Sequence, residues 1–310
     1  MGSVLQGTID GVSVVIPCFN EENAIVDTLD RLRNTFDQTN VNYEIIVVDD
    51  GSQDASAKLL REYKSDNLQI VTHPVNIGYG ASLKDGILKS KYETIGIIDA
   101  DGTYKVEAFP ELIGYIERGF DLVIATRTNI AETDSFLKGI SRKIFKFIIR
   151  FLVNKNIEDP NSGLRVFRKS VVMQAFPFLC DTFSFTTSMT ILIVGKRHFV
   201  KHVPVNYSPR KGSSKVNHFR DTIRALQMIV QGVTFFNPIK FFILLSAFMV
   251  GFVCIPSMVI ATLGYHVLSL YAMIFGSVVI LLIALGTVGD IVRVSMLSIN
   301  ERKISQEMNN

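Results

Sequence analysis

TIGIIDADG (94–102) is the stretch on which the fold turns: a short apolar run ending in two carboxylates one residue apart. Runs of the same kind recur at VSVVIP (12–17), YEIIVVDD (43–50), LQIVT (68–72) and FDLVIATR (120–127). Amphipathic stretches near 21–36, 54–64, 79–91 and 106–118 lie between them. Continuous Val/Ile runs alternating with helices predict an α/β fold, a Rossmann-like and mostly parallel sheet with helices on both faces. Such sheets bind ligands beyond the carboxyl ends of their strands. The polar residues collect there: Asn20 and Glu21 after the first strand, Asp49 and Asp50 after the second, Asp99 and Asp101 after the fourth.

A dinucleotide fold would place G-x-G-x-x-G after the first strand. This chain has Pro17-Cys18-Phe19-Asn20-Glu21 there, and Gly78-Tyr79-Gly80 lacks the third glycine. No G-x-x-x-x-G-K-[ST] occurs either. Asp99 and Asp101, two apart on an extended chain, share one face. An oxygen-preferring divalent ion, Mg²⁺ or Mn²⁺, would relieve their repulsion and bridge to a substrate diphosphate.

The 310 residues are 48% apolar and 20% charged, with a mean hydropathy of +0.29. Three scattered cysteines (Cys18, Cys180, Cys254) fit neither a disulfide framework nor a zinc site. Charge is unevenly distributed. Residues 1–136 hold 11 Lys/Arg against 22 Asp/Glu, residues 137–220 hold 16 against 3, and residues 221–310 hold 5 against 4.

Phe241–Gly289 is a run of 49 residues without Asp, Glu, Lys or Arg. A helix crosses a hydrocarbon core in about 20 residues, so this run predicts a two-helix transmembrane hairpin, near 239–263 and 267–290, broken at Gly264-Tyr265-His266. Basic residues stand at its entrance (Arg220, Arg224, Lys240) and exit (Arg293, Arg302, Lys303), and none in the turn. That placement predicts both termini and the α/β domain on the cytoplasmic side, of a bacterial or archaeal plasma membrane or an ER membrane. Residues 1–11 are polar and glycine-rich, which predicts a flexible tail and no signal peptide.

In FLKGISRKIFKFIIRFLVNK (136–155), Lys138, Arg142, Lys146 and Arg150 recur every four residues, opposite Phe145, Ile148, Ile149 and Leu152. This predicts a basic amphipathic helix lying on an anionic membrane surface; a helix packed on the sheet with a solvated basic face is the competing reading. A second interfacial helix is expected near 217–236. The flanking hairpin and the apolar faces argue against nucleic acid as the partner of the basic segment.

Taken together, VSVVIPCFNEE, EIIVVDDGSQD, NIGYGAS, IDADG, DPNSGLRVF and PRKGSSK, in that order, resemble the inverting family-2 glycosyltransferases, within them the polyprenyl-phosphate hexosyltransferases. The resemblance covers roughly residues 12–220 and implies the GT-A fold. It further implies transfer of a hexose from a nucleotide-diphosphate sugar (UDP- or GDP-linked) to dolichyl or undecaprenyl phosphate. By that likeness Pro17, Phe19, Glu21, Asp50, Asn76, Lys84 and Asp99 bind the nucleotide sugar, with Asp50 at the base. Asp99 and Asp101 approach the sugar and a Mg²⁺ or Mn²⁺ ion, Asp101 more directly. Arg127, Arg142, Ser162, Arg210, Lys211 and Lys215 meet the lipid phosphate. Asp159, Arg210 and Lys215 join the two aspartates as catalytic residues. Relatives often carry Gln where this chain has Thr103, which implies a weaker metal ligand or a shell completed by water. The implied division is 12–135 for the donor half, 136–216 for the acceptor half, 217–237 for an interfacial helix, 238–293 for the hairpin and 294–310 for a tail.

The acceptor's chemistry bears on Asp159. A sugar hydroxyl needs a base as it attacks, whereas a phosphate monoester, with a second pKa of about 6, is already anionic at neutral pH. The demand is then electrostatic, and Asp159 is cast as an organiser of Arg and Lys side chains; a base role is the rival assignment. A processive polysaccharide synthase would need Q-x-x-R-W, and the chain has no tryptophan. A non-catalytic membrane-anchored scaffold is the rival function, and homo-oligomerisation through the hairpin a further expectation.

Overall fold

The computed structural model describes residues 9–128, 157–182, 184–207, 238–264 and 267–308. Contacts divide the chain into two compact units, 1–224 and 225–310.

The first unit is a seven-stranded mixed sheet. Its strands are β1 (Val12–Cys18), β2 (Tyr43–Asp49), β3 (Leu68–Thr72), β4 (Thr94–Ile97), β5 (Leu122–Arg127), β6 (Arg165–Arg168) and β7 (Val200–Val205), in the order β3-β2-β1-β4-β6-β5-β7. β1 pairs in parallel with β2 and β4, β2 with β3, and β5 with β7. β6 runs antiparallel between β4 and β5. The helices are α1 (Ile25–Asp37), α2 (Ser56–Glu62), α3 (Tyr79–Lys89), α4 (Phe109–Glu117), α5 (Lys169–Met173) and α6 (Phe185–Gly195). In α1, Ile25, Leu29, Leu32 and Phe36 recur at helical spacing, so one face is wholly buried. It packs over Val12, Val14 and Ile16 of β1, and Phe36 meets Phe109 at 5.6 Å between ring centroids. Each side chain buried in this way contributes about 1.5–3 kcal/mol.

Two features depart from the pattern read in the sequence. β4 stops at Ile97, and the chain turns through Gly102 (φ 70°), so Asp99 and Asp101 sit in a turn beyond the strand. β6 and β7 were not read as strands: β6 has only four residues and lies inside a Pro/Asn/Gly-rich motif, and Pro204 interrupts β7. Pro204 is tolerated because β7 is an edge strand.

The second unit contains α7 (Pro238–Met249), a π-helical turn (Val250–Cys254), α8 (Ile255–Thr262) and α9 (Val267–Met308). Pro238–Thr262 and Ser269–Val292 are each long and apolar enough to cross a membrane. α7 approaches α9 closely where the latter carries glycine: a Cβ on Gly286 would lie 2.9 Å from that of Phe242, and one on Gly289 would lie 3.1 Å from that of Pro238. The second candidate span ends at Val292, within the expected 290–293, and its helix continues through the expected tail to Met308. At 1.5 Å per residue it is about 63 Å long, roughly twice a hydrocarbon core. The expected helices at 136–155 and 217–236 lie outside the described residues.

Candidate active site

The loops after β1 and β2 are stitched together by side chains. Asn20, in the left-handed region (φ 55°), accepts from Gln53 N at 2.6 Å, and its own N–H donates to Ser52 Oγ at 3.0 Å. Glu21 N donates to Ser56 Oγ at 2.8 Å. Between these loops and the end of β3 opens a cleft of about 300 Å³, lined by Phe19, Asp49, Arg61, Thr72, Val75 and Asn76 among others. That volume is at the small end of ligand sites. Pro17 forms part of the rim strand, paired with Val48.

Asp50 is placed differently from the expectation. Its buried carboxylate accepts from Ile77 N and Gly78 N, each at 2.9 Å, and contacts His73 Nδ1 at 2.8 Å. Asp49, one residue earlier, lines the cleft instead, because adjacent side chains on a strand face opposite ways. Lys84, also assigned to the nucleotide, donates to Asp181 at 2.6 Å and lies over the Phe176 ring.

Asp99 and Asp101 stand together at the end of β4. Tyr79, the first residue of α3, donates its hydroxyl to Asp99 Oδ1 at 2.8 Å. Asp101 is buried, and its Oδ1 accepts from Thr103 Oγ1 at 2.6 Å and Thr103 N at 3.1 Å. Thr103 therefore orients Asp101. Burial, and then the charge of Asp101, push Asp99 up to about 6, against the lowering effect of Tyr79, Arg127 and Arg165. A crowded pair of carboxylates with oxygen-only donors fits Mg²⁺ or Mn²⁺, ions that take one or two carboxylates and complete their shell with water and phosphate. Among the described residues no group of three or more His, Cys, Asp or Glu is arranged to hold a metal.

Arg127, the last residue of β5, faces Asp159. Its Nε donates at 2.7 Å to Oδ2 and its Nη2 at 2.9 Å to Oδ1, while the backbone N of Arg127 reaches Oδ2 at 3.3 Å. The guanidinium also lies 5.3 Å from the Tyr207 ring centroid. Burial raises Asp159, but the hydrogen bonds and charge of Arg127 outweigh it and hold the carboxyl below its ordinary value. Arg127 is correspondingly raised despite its own burial.

Behind this pair lies Arg165, fully buried. It donates to the carbonyls of Pro160, Ser162 and Thr186 and to Thr190 Oγ1, tying the 159–163 loop to α6. Burial lowers its guanidinium to about 10, which leaves it charged at neutral pH. Ser162, assigned to the lipid phosphate, is fully buried as well, and its hydroxyl donates to Ala125 O at 2.5 Å. Gly163 N donates to the buried Tyr104 hydroxyl at 2.7 Å. A Cβ on Gly163 would lie 2.1 Å from Asp99 Oδ2, so only glycine lets this loop close on Asp99.

The structure thus brings Asp99, Asp101, Arg127 and Asp159 into one region at the strand ends, with Phe19, Asp49 and Asn76 around the neighbouring cleft. Arg142, Arg210, Lys211 and Lys215 lie outside the described residues. Tyr79, Tyr104, Gly163 and Arg165 were not singled out in the sequence. Three of them stand inside quoted motifs, NIGYGAS and DPNSGLRVF, where their presence was the available signal.

A mostly parallel α/β sheet with a small polar cleft at the ends of β1 and β2 and paired carboxylates after β4 defines a GT-A-type protein. Residues 13–176 match Glycosyl transferase family 2, and the chain belongs to that family. It is 28% identical over 247 residues to a dolichyl-phosphate beta-glucosyltransferase of Dictyostelium discoideum, covering 73% of this chain and 75% of the relative. It is 31% identical over 203 residues to an undecaprenyl-phosphate 4-deoxy-4-formamido-L-arabinose transferase of Pectobacterium carotovorum, covering 62% of each. Among solved structures, glucosyl-3-phosphoglycerate synthase from Mycobacterium tuberculosis, in complex with Mn²⁺, UDP and phosphoglyceric acid, shares the fold. The TM-score is 0.60 at 16% identity, covering 72% of this chain and 78% of that one.

Proposed function

We propose that this glycosyltransferase moves a hexose from a nucleotide-diphosphate sugar to a membrane polyprenyl phosphate, with inversion, giving a lipid-linked sugar donor. The observation that carries the reading is the Arg127–Asp159 pair beside the Asp99–Asp101 turn. It sets a guanidinium, held at a fixed angle, next to the carboxylates that would take the donor. The two candidate spans and the names of the curated relatives support a lipid acceptor.

In this reading Pro17, Phe19, Glu21, Asp49 and Asn76 surround the nucleoside, and Asp99 holds the sugar. Asp101, with Asp99 beside it, would hold Mg²⁺ or Mn²⁺. When bound, the ion supplies positive charge to the departing diphosphate. Arg127 meets the acceptor phosphate, joined by Arg142, Arg210, Lys211 and Lys215. Asp159 keeps the guanidinium aimed at the phosphate. An anionic phosphate oxygen attacks the anomeric carbon as the nucleotide leaves, so no proton has to be removed from the nucleophile. The residues' work is to bring two anions together in line and to exclude repulsion between them. Asp50, Lys84 and Ser162 act behind this surface as anchors of the loops that form it. Both termini and the catalytic unit face the cytoplasm, as the basic residues at both ends of the hairpin favour.

The test is incubation of membranes containing the protein with a panel of radiolabelled UDP- and GDP-hexoses and polyprenyl phosphate, followed by lipid extraction. Label in the lipid phase from at least one donor supports the reading. Label from none, with the protein shown to be folded and to bind nucleotide, would leave the scaffold function in its place.

A further inference from the structure

Asp49 and Arg61 carry opposite charges and line the same cleft, yet they form no ion pair with each other. Asp49 closes β2 and is only 2% exposed. Its Oδ1 accepts from Ser52 N at 3.1 Å, which commits that oxygen to the loop after β2. Its Oδ2 has no hydrogen bond among the described residues, where Ser246 Oγ is the only fully buried side-chain polar atom without a partner. Oδ2 therefore reaches the surface, and the surface that Asp49 meets is the cleft. A largely desolvated carboxylate oxygen without a donor is costly, so this one is matched to a donor that arrives with a ligand.

Arg61, in the last turn of α2, lines the cleft as well, and its guanidinium has no hydrogen bond or ion pair among the described residues. An ionised carboxylate only accepts, and a guanidinium only donates. The cleft thus offers one acceptor oxygen and one donor fork, and the matching ligand edge is a ring N–H beside a carbonyl. Uracil and thymine present that edge. Cytosine and adenine present its reverse, a ring lone pair beside an amino group. Guanine has the carbonyl and the N–H but adds an amino group next to them. That second donor needs the second carboxylate oxygen, which Ser52 N already holds. Phe19, Pro74 and Val75 add apolar wall for a flat base.

We propose that Asp49 and Arg61 select the base of the sugar donor. Asp49 Oδ2 accepts from the ring N–H of uracil or thymine, and Arg61 donates to the neighbouring carbonyl. The sugar then arrives on UDP or dTDP rather than on GDP, CDP or ADP. The proposal rests on the reading of the cleft as the nucleotide site. Both residues decide which nucleotide enters and take no part in the transfer itself.

The experiment titrates the full chain in lipid nanodiscs with UDP, dTDP, CDP and GDP, each with Mg²⁺, by calorimetry. The UDP and dTDP arms separate the two bases that carry the matching edge. The better bound of these two should be held at least about a hundredfold more tightly than CDP and about tenfold more tightly than GDP, the effect of two or one unmatched hydrogen bonds. Asp49→Asn keeps an oxygen for Ser52 N and offers an amide N–H to the cleft. Its preference for UDP over CDP should fall at least about tenfold, with CDP bound more tightly than by the wild type. Arg61→Met, at an exposed position, should weaken UDP about tenfold without weakening CDP. CDP or GDP held as tightly as UDP and dTDP by the wild type, or a UDP-to-CDP ratio unchanged in both variants, overturns the proposal while leaving the cleft a nucleotide site. If the wild type binds no nucleotide at all, the reading of the cleft falls and this proposal with it.

Discussion

Arg127 and Asp159 form a two-point hydrogen-bonded pair at the end of β5, Nε to Oδ2 at 2.7 Å and Nη2 to Oδ1 at 2.9 Å, with side-chain exposures of 19% and 10%. A carboxylate engaged in this way is a poor proton acceptor, and Arg127 holds it below its ordinary value. A lowered carboxylate contributes stability above its unfolded value, and that contribution is lost only as pH falls through the lower folded value. The pair is therefore intact throughout the neutral range. Asp159→Asn should retain measurable transfer, with a raised KM for the lipid. The acidic limb of its pH profile should stay where the phosphate's second ionisation puts it, near pH 6 by the usual value of about 6. A dead variant with normal nucleotide binding and no acidic limb would make Asp159 the base.

Gly163→Ala should damage turnover more than stability. The new methyl group would meet the Asp99 carboxylate, which must move aside. A displacement of about 1 Å near reacting groups costs on the order of a hundredfold in rate. Steady-state kinetics beside a thermal melt separates the two effects; a large loss of Tm with normal kcat would contradict it.

The Asp99–Asp101 turn should behave as a site strained by its own charge. A carboxylate raised to about 6 contributes stability that is full below its unfolded value and lost as pH climbs through about 6. Metal-free protein should therefore gain stability at pH 7.5 from Asp99→Asn. Added Mn²⁺ should raise the wild-type Tm more at pH 7.5 than at pH 5.5, and should leave Asp101→Ala unmoved at either. Equal shifts at the two pH values would remove the ion from this turn. Asp101→Ala should also abolish transfer, as should excess EDTA.

Arg165 carries the 159–163 loop from behind. Leaving a buried carbonyl without its donor costs about 1–3 kcal/mol, and Arg165 serves several, so Arg165→Met should lower Tm sharply. Arg165→Lys should rescue it only in part, since an ammonium lacks the planar fork that reaches Ser162, Pro160 and Thr186 together. Full rescue by lysine, judged by denaturant unfolding, would show that charge alone matters there.

Much of the donor half was legible because β1 and β2 are largely buried and read as continuous Val/Ile runs, and β1, β2 and β3 lie within a residue of their expected bounds. β6 and β7 were hidden because a four-residue strand in a turn-rich motif and a strand containing proline carry no periodic signal. The carboxylates after β4 were visible as residue types, but Asp49 and Asp50 could not be told apart without the strand's facing. The Arg127–Asp159 contact joins residues 32 apart in sequence, and no local pattern announces it. His73 escaped notice because its contacts are two carboxylates, one from the loop after β2 and one from α3.

The central claim is that the acceptor is a lipid phosphate positioned by cationic side chains. It is tested most directly by offering the protein, in membranes with its preferred labelled nucleotide sugar, polyprenyl phosphate and the same polyprenol without its phosphate. The account predicts label in the lipid phase with the phosphorylated acceptor only, and a large fall in that transfer for Arg127→Ala with nucleotide binding preserved. Comparable labelling of the free polyprenol, or transfer unaffected by Arg127→Ala, would contradict it.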